Sequence, residues 1–207
     1  MKVSASFLSS KDVPKDLKKL NDTDVDFIHL DFMDGKFVPN KTMPFSEMKH
    51  IGDYTSKRLD VHLMVKDPSK YIPLFAELNA EYITFHVEVD EDILENLQLI
   101  HSYSIGAGLA IKPDTKVSSL VPYLPYLDQI LVMSVEGMGG QSFIVESEKK
   151  IEEVRALLDS YHINAVINVD GGITDQTVSM CSDADMVVSG SYIVKSDDFQ
   201  KKISSLR

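Results

Sequence analysis

Ile28-His29-Leu30-Asp31-Phe32-Met33-Asp34-Gly35 carries a polar or sulfur-bearing side chain at every second position, and Asp60-Val61-His62-Leu63-Met64 repeats the pattern about thirty residues on. Successive side chains of a β-strand point to opposite faces. His29, Asp31 and Met33 therefore share one face of a strand, and His62 and Met64 share one face of another. Asn168-Val169-Asp170-Gly171-Gly172 adds a further carboxylate. Two histidines and two carboxylates on strand faces form a mixed nitrogen and oxygen set suited to one divalent ion. Zinc and iron are the first candidates, with manganese and cobalt behind them.

Outward from these stretches, short apolar runs alternate with longer amphipathic ones. Strands are predicted from Val3 to Leu8, Asp26 to Phe32, Arg58 to Val65 and Tyr82 to Val87. Four more are predicted from Gly106 to Ile111, Gln129 to Val135, Ala165 to Val169 and Met186 to Ser189. Several are almost wholly apolar, as parallel strands covered on both faces are. Helices are predicted from Pro14 to Leu20, Pro68 to Leu78, Glu91 to His101, Glu146 to Asp159 and Thr174 to Cys181. Apolar residues recur at helical spacing in the second and fourth, and Thr174 follows a Gly-Gly turn as a helix cap would. Eight such β units in 207 residues predict a single-domain α/β fold over residues 1–207, a (β/α)8 barrel. A doubly wound open sheet is the alternative. The barrel is favoured because no G-x-G-x-x-G follows the first strand and the chemical residues fall at the ends of several strands.

Hydrophobic residues make up 43% of the chain, enough for a substantial core, and no apolar run approaches membrane-spanning length. A strand predicted directly at the N-terminus makes a signal segment unexpected. The single cysteine, Cys181, excludes an internal disulfide, and a reducing, cytoplasmic setting is expected. Asp and Glu exceed Lys and Arg by 32 to 21, a formal charge of −11, which argues against nucleic acid and anionic membrane as partners. A phosphorylated ligand remains compatible, since backbone N–H groups hold phosphate without basic side chains.

In a barrel, catalytic groups collect at the C-terminal strand ends, where His29, Asp31, His62 and Asp170 are all predicted to lie. Met33, Met64 and Met133 share these faces or strand positions, either as core filling or as the wall of an apolar pocket. Ser134-Val135-Glu136-Gly137-Met138-Gly139-Gly140-Gln141 has three glycines in four positions, which lets backbone N–H groups converge on an anion. Gly171-Gly172 and Ser189-Gly190-Ser191 follow the next two strands, where barrels often bind phosphate. Metal, phosphate and carboxylates together suggest proton abstraction beside the carbonyl of a sugar phosphate. Asp31 and Asp170 are placed to remove a proton from one face of a carbon and return it on the other, one ionised while the other is protonated.

At these residues the chain resembles the ribulose-phosphate 3-epimerase family, from Ala5-Ser6-Phe7-Leu8-Ser9 to Ser189-Gly190-Ser191. The motifs that carry the resemblance are His29 to Asn40, Leu59 to Met64, Gly108-Leu109-Ala110-Ile111-Lys112-Pro113, Val132-Met133-Ser134-Val135 and Val169-Asp170-Gly171-Gly172-Ile173. The resemblance implies interconversion of D-ribulose 5-phosphate and D-xylulose 5-phosphate through a 2,3-enediolate, a step of pentose phosphate metabolism. It implies one divalent metal on His29, Asp31, His62 and Asp170, and Asp31 and Asp170 as the acid–base pair. It also implies substrate contact by Ser6 and His62, and phosphate binding by Gly137, Met138, Gly139, Gly140, Gly171, Gly172, Gly190 and Ser191. Met33, Met64 and Met133 match the pocket methionines, and a homo-oligomer, dimer or hexamer, is expected. Three departures stand out. Ala5 replaces a Pro, Met138 replaces a Phe, and the glycine loop is one residue short, without the Pro usual between Glu136 and Gly137. One residue removes at most about 3.5 Å of reach. The alternatives are a 3-epimerase of a hexulose 6-phosphate such as D-allulose 6-phosphate, or a non-catalytic sugar-phosphate-binding barrel. A related decarboxylase fits less well, because Asp31-Phe32-Met33-Asp34 offers no Lys for an Asp-x-Lys-x-x-Asp arrangement.

Overall fold

In the computed structural model, which describes residues 1–136 and 141–207, eight parallel strands close into a barrel. They are β1 (Lys2–Ser6), β2 (Phe27–Met33), β3 (Leu59–Met64), β4 (Ala80–His86), β5 (Gly106–Ile111), β6 (Gln129–Met133), β7 (Val166–Asp170) and β8 (Met186–Ser189). Each pairs with the next, and Ala5 on β1 lies opposite both Ile28 and Ser189, which closes the ring. β5 and β8 have the ends the sequence predicts, and the others differ by one or two residues at an end. β6 ends at Met133, and the residue after it makes the last bond to β7. The Ser134 backbone N–H and hydroxyl both donate to the carbonyl of Asp170, at 2.8 and 3.0 Å.

The two strand faces bury different chemistry. The outward set, including Val3, Ile28, Leu30, Val61, Leu63, Ile83, Phe85, Leu109, Ile130, Ile167 and Val187, joins the helices in one large apolar core. The inward apolar residues Ala110, Leu131, Met133 and Val188, with Val135, form a separate small cluster. Much of the remaining interior is polar and still buried: Ser4, Ser6, His29, Asp31, Asp60, His62, Thr84, His86, Gln129 and Asn168. Buried polar groups persist only when they are partnered.

Helices α1 (Val13–Asn21), α2 (Phe45–Met48), α3 (Pro68–Ala76), α4 (Ile93–Ser102), α5 (Ser147–Tyr161), α6 (Ser191–Val194) and α7 (Phe199–Ser204) cover the barrel. Asp12 and Asp92 cap α1 and α4 by accepting from the Lys15 and Glu95 N–H groups at 3.2 and 2.9 Å. In α5, Ile151, Val154 and Leu158 are buried at spacings of three and four, the stripe that docks a helix on a sheet. The helix expected from Thr174 to Cys181 is instead a turn followed by a short 3-10 helix, Val178–Cys181. The Thr177 hydroxyl causes this by accepting from the Thr174 N–H at 2.9 Å and donating to the Gly172 carbonyl at 2.9 Å, which ties the segment into a turn. Between β5 and β6 a ten-residue 3-10 helix, Val117–Tyr126, occupies a place where the sequence predicted no element. Pro122 and Pro125 lack the N–H that an α-helical ladder needs. Among the described residues no helix is long and apolar enough to cross a membrane.

Candidate metal centre and active site

Four predicted ligands converge at the C-terminal end of the barrel. One ligating atom from each of His29, Asp31, His62 and Asp170 lies within 4.8 Å of the other three. His29 Nε2 is 3.3 Å from Asp31 Oδ1 and 3.7 Å from Asp170 Oδ2. His62 Nδ1 is 3.2 and 3.7 Å from the same two oxygens. Ligands about 2.1 Å from a common ion stand roughly 3.4 Å apart when arranged tetrahedrally, so these spacings suit a divalent metal. His29 Nε2 is buried without a hydrogen-bond partner, as a nitrogen reserved for an ion would be. The donor set of two imidazoles and two carboxylates fits zinc, iron, manganese or cobalt.

The charges around the cluster favour a cation. His29 is wholly buried, which disfavours its charged form, yet the negative charges of Asp31 and Asp60 raise its pKa well above the ordinary value. Burial acts to raise the Asp31 pKa, but the positive charge of His29 overcomes it and holds the carboxyl well below the usual range. Asp170 goes the other way. Burial, with repulsion from Asp31 and Asp60, outweighs the two histidines and lifts it to about 6.

Beneath the four lies a polar floor. Asp60 Oδ2 accepts from His29 Nδ1 at 2.7 Å, Ser4 Oγ at 3.0 Å and Asn168 Nδ2 at 3.0 Å. Its Oδ1 accepts from Gln129 Nε2 at 2.9 Å. The bond to His29 Nδ1 turns Nε2 toward the cluster, as the outer carboxylates of metal-binding histidines do. On the other side, His62 Nε2 is 2.9 Å from His86 Nε2, and His86 Nδ1 is 2.9 Å from Glu88 Oε2. Burial pushes the His86 pKa down to about 4. Burial would raise Glu88, but the bond to His86 and donors from Lys112 and Thr115 hold it at about 2.

Above the centre opens a cavity of about 370 Å³. Asp31 and Asp170 reach its wall, whereas His29 and His62 are fully buried below it. Met33, Met64 and Met133 line the cavity and supply apolar surface. Ser6 does so too, and its hydroxyl donates to Asp31 Oδ2 at 3.1 Å, which leaves Oδ1 facing the histidines. Gly171, Gly172, Gly190 and Ser191 form part of the rim. Gly171 and Gly172 have φ of 124° and 66°, and a Cβ on Gly172 would stand 2.3 Å from the Phe143 nitrogen. Both positions therefore require glycine. Gly137, Met138, Gly139 and Gly140 lie outside the described residues. No Lys or Arg lines the described part of the cavity wall.

Asp60, His86, Glu88, Gln129 and Asn168 were assigned no role from sequence. Asp60 and Asn168 carry the same period of two, each two residues before a predicted ligand, and Glu88 stands two after His86, whereas His86 and Gln129 carry no such signal.

The family model described as the ribulose-phosphate 3 epimerase family matches residues 2–194. The chain is 36% identical to a ribulose-phosphate 3-epimerase of Mycobacterium tuberculosis over 185 residues, covering 88% of this chain and 81% of that one. It is also 36% identical to that of Helicobacter pylori over 212 residues, covering 100% of this chain and 97% of the relative. Among solved structures, 3-hexulose-6-phosphate synthase from Salmonella typhimurium superposes with a TM-score of 0.66 at 19% identity, over 100% of this chain and 96% of that one. That last likeness is one of fold alone.

Proposed function

The chain belongs to the ribulose-phosphate 3-epimerase family, whose members are isomerases, and from that premise we propose that it interconverts D-ribulose 5-phosphate and D-xylulose 5-phosphate. One observation carries the reading: of the four clustered ligands, only the carboxylates Asp31 and Asp170 line the cavity. They arrive from β2 and β7, strands separated by β1 and β8, so a ketose lying between them presents opposite faces of C3 to the two groups. Ionised Asp31 takes the C3 proton, and protonated Asp170 delivers a proton to the other face. The reverse reaction exchanges the roles. The surroundings push the two carboxyls apart, Asp31 down and Asp170 up to about 6, which is the direction these two roles call for. Each such group contributes roughly 10²- to 10⁴-fold.

When bound by His29, Asp31, His62 and Asp170, a divalent ion supplies Lewis-acid polarisation of the carbonyl beside C3. Ser6 keeps Asp31 aimed at the cavity. Met33, Met64 and Met133 keep water from the enediolate by covering it with apolar surface. With no basic side chain on the described wall, the phosphate rests on backbone N–H groups and hydroxyls at Gly171, Gly172, Gly190 and Ser191. A homo-oligomer, dimer or hexamer, working in the cytoplasm belongs to the same reading.

The test is incubation of metal-loaded protein with D-ribulose 5-phosphate in D2O, followed by NMR. Deuterium at C3 together with D-xylulose 5-phosphate is expected. No exchange here, but exchange with D-allulose 6-phosphate, would reassign the substrate to a hexulose phosphate. No exchange with either would leave a sugar-phosphate-binding barrel.

A further inference from the structure

We infer that His86 and Glu88 lock His62 into the tautomer whose Nδ1 lone pair faces the metal position, and so set how tightly the centre holds its ion. The inference rests on the reading of the four-residue cluster as a metal centre.

His86 is the last residue of β4, and its ring is buried against the Phe37 ring with centroids 4.7 Å apart. Glu88, two residues on, is fully engaged. Its Oε2 is 2.9 Å from His86 Nδ1, while Oε1 accepts from the Lys112 N–H at 2.9 Å and from the Thr115 hydroxyl. The Lys112 carbonyl in turn accepts from Lys150 Nζ at 2.9 Å, so α5 braces the loop that holds Glu88.

An ionised carboxylate only accepts, so His86 Nδ1 carries a proton and donates to Glu88. His86 is almost wholly buried, which disfavours a second proton on its ring, so its Nε2 is an acceptor. The proton in the 2.9 Å contact between the two Nε2 atoms therefore sits on His62. With Nε2 protonated, His62 Nδ1 is bare, and it points at Asp31 Oδ1 and Asp170 Oδ2 from 3.2 and 3.7 Å. A lone pair facing two carboxylate oxygens is repulsive until a cation lies between them. Without the chain, His62 gains by moving its proton to Nδ1 and donating to Asp31, which closes the site to metal. Glu88 thus acts through two imidazoles on an atom it never touches. His86 and Glu88 are positioning residues, and removing such outer partners typically costs about 10- to 100-fold in metal affinity.

The experiment uses full-length parent, Glu88→Gln, His86→Phe and His86→Gln, with zinc affinity read by chelator competition. Thermal unfolding of each metal-free protein checks folding. Glu88→Gln and His86→Phe are expected to bind zinc about 10- to 100-fold more weakly. His86→Gln, whose amide oxygen can accept from His62 Nε2–H, should recover most of the loss. On the zinc-loaded parent, long-range ¹H–¹⁵N NMR should show His62 protonated at Nε2 and coordinated through Nδ1, whatever the variants do. Zinc affinity within twofold of the parent in both Glu88→Gln and His86→Phe would overturn the inference and leave the metal centre intact. So would an unprotonated His62 Nε2 in the parent. A parent that binds no metal overturns the centre and the inference together.

Discussion

Asp60→Asn exchanges one oxygen for an amide NH2 at a point where four donors meet. The three-donor position, now filled by Oδ2, suits the amide oxygen, because Ser4, His29 and Asn168 all point there. The new NH2 then faces Gln129 Nε2, donor against donor. Gln129 can turn its own amide, since its Oε1 has no partner. Thr84 Oγ1, which accepts from Gln129 Nε2 at 2.9 Å, would then donate instead. The hydrogen bonds to residue 60 survive, the negative charge is lost, and the Gln129 NH2 moves to the buried place where Oε1 now has no partner. A bond to a charged group contributes about 1.5–3 kcal/mol, against about 0.5–1.5 for a neutral one, so each of the four bonds weakens by about 1 kcal/mol. The desolvation cost of the buried carboxylate, removed at the same time, offsets part of this and leaves an expected cost of about 1–3 kcal/mol. That corresponds to a fall in Tm of roughly 2–12 °C for a chain of this size. The same change weakens the grip on His29 Nδ1 and should lower zinc affinity about 10- to 100-fold. Asp60→Leu is a different matter. It orphans all four donors at about 1–3 kcal/mol each, a total comparable to the whole stability of a domain. Thermal unfolding of the metal-free proteins and chelator competition measure both effects. An Asn variant with unchanged Tm and affinity, or a Leu variant as stable as the Asn one, would refute the reasoning.

Asp170→Asn should fold and lose at least about 10²-fold in turnover, read as C3 exchange in D2O; retained turnover would take Asp170 out of the chemistry. Gly172→Ala meets the Phe143 backbone and a φ of 66°, so it should destabilise by about 1–3 kcal/mol or more, visible in urea unfolding. The Glu88 pKa falls on folding from 4.5 to about 2. Its ionised form therefore favours the folded state above about pH 4.5, and this contribution, reduced by solvent screening, is lost as the pH falls through 2. The stability gap between the metal-free parent and Glu88→Gln should narrow over that window, and a gap independent of pH would contradict the assigned pKa.

The barrel was legible because its strands announce themselves twice, by apolar runs and by the period-two placement of polar residues in His29 to Met33 and Asp60 to Met64. The elements between strands were less so. Val117 to Tyr126 carries Pro122 and Pro125 and forms a helix type with little sequence periodicity, while Thr177 uses its side chain to turn a segment that reads as a helix. At the site, the residues that sequence singled out are the ones close to the strand ends. In the layer below them the period of two marks Asp60 and Asn168, but their partnerships could not be read, for a geometric reason. Asp60 meets Asn168 across 108 positions of chain and Gln129 across 69, and such contacts exist only once the ring has closed. His86 was hidden differently, since a histidine after Phe85 at a strand end reads as ordinary core until His62 is seen beside it.

That floor also bears on how the chain reaches its final form. A half-barrel of β1 to β4 would give Asp60 two of its four partners, Ser4 and His29, and lack Gln129 and Asn168 from β6 and β7. Burying the carboxylate in such a fragment, with half of its donors missing, would cost several kcal/mol. The gain from Asp60 comes only with the last strands, so partly closed barrels are penalised from within. Assembly is thereby pushed toward a single cooperative transition, and the polar layer beneath the metal position serves as the latch of the whole ring.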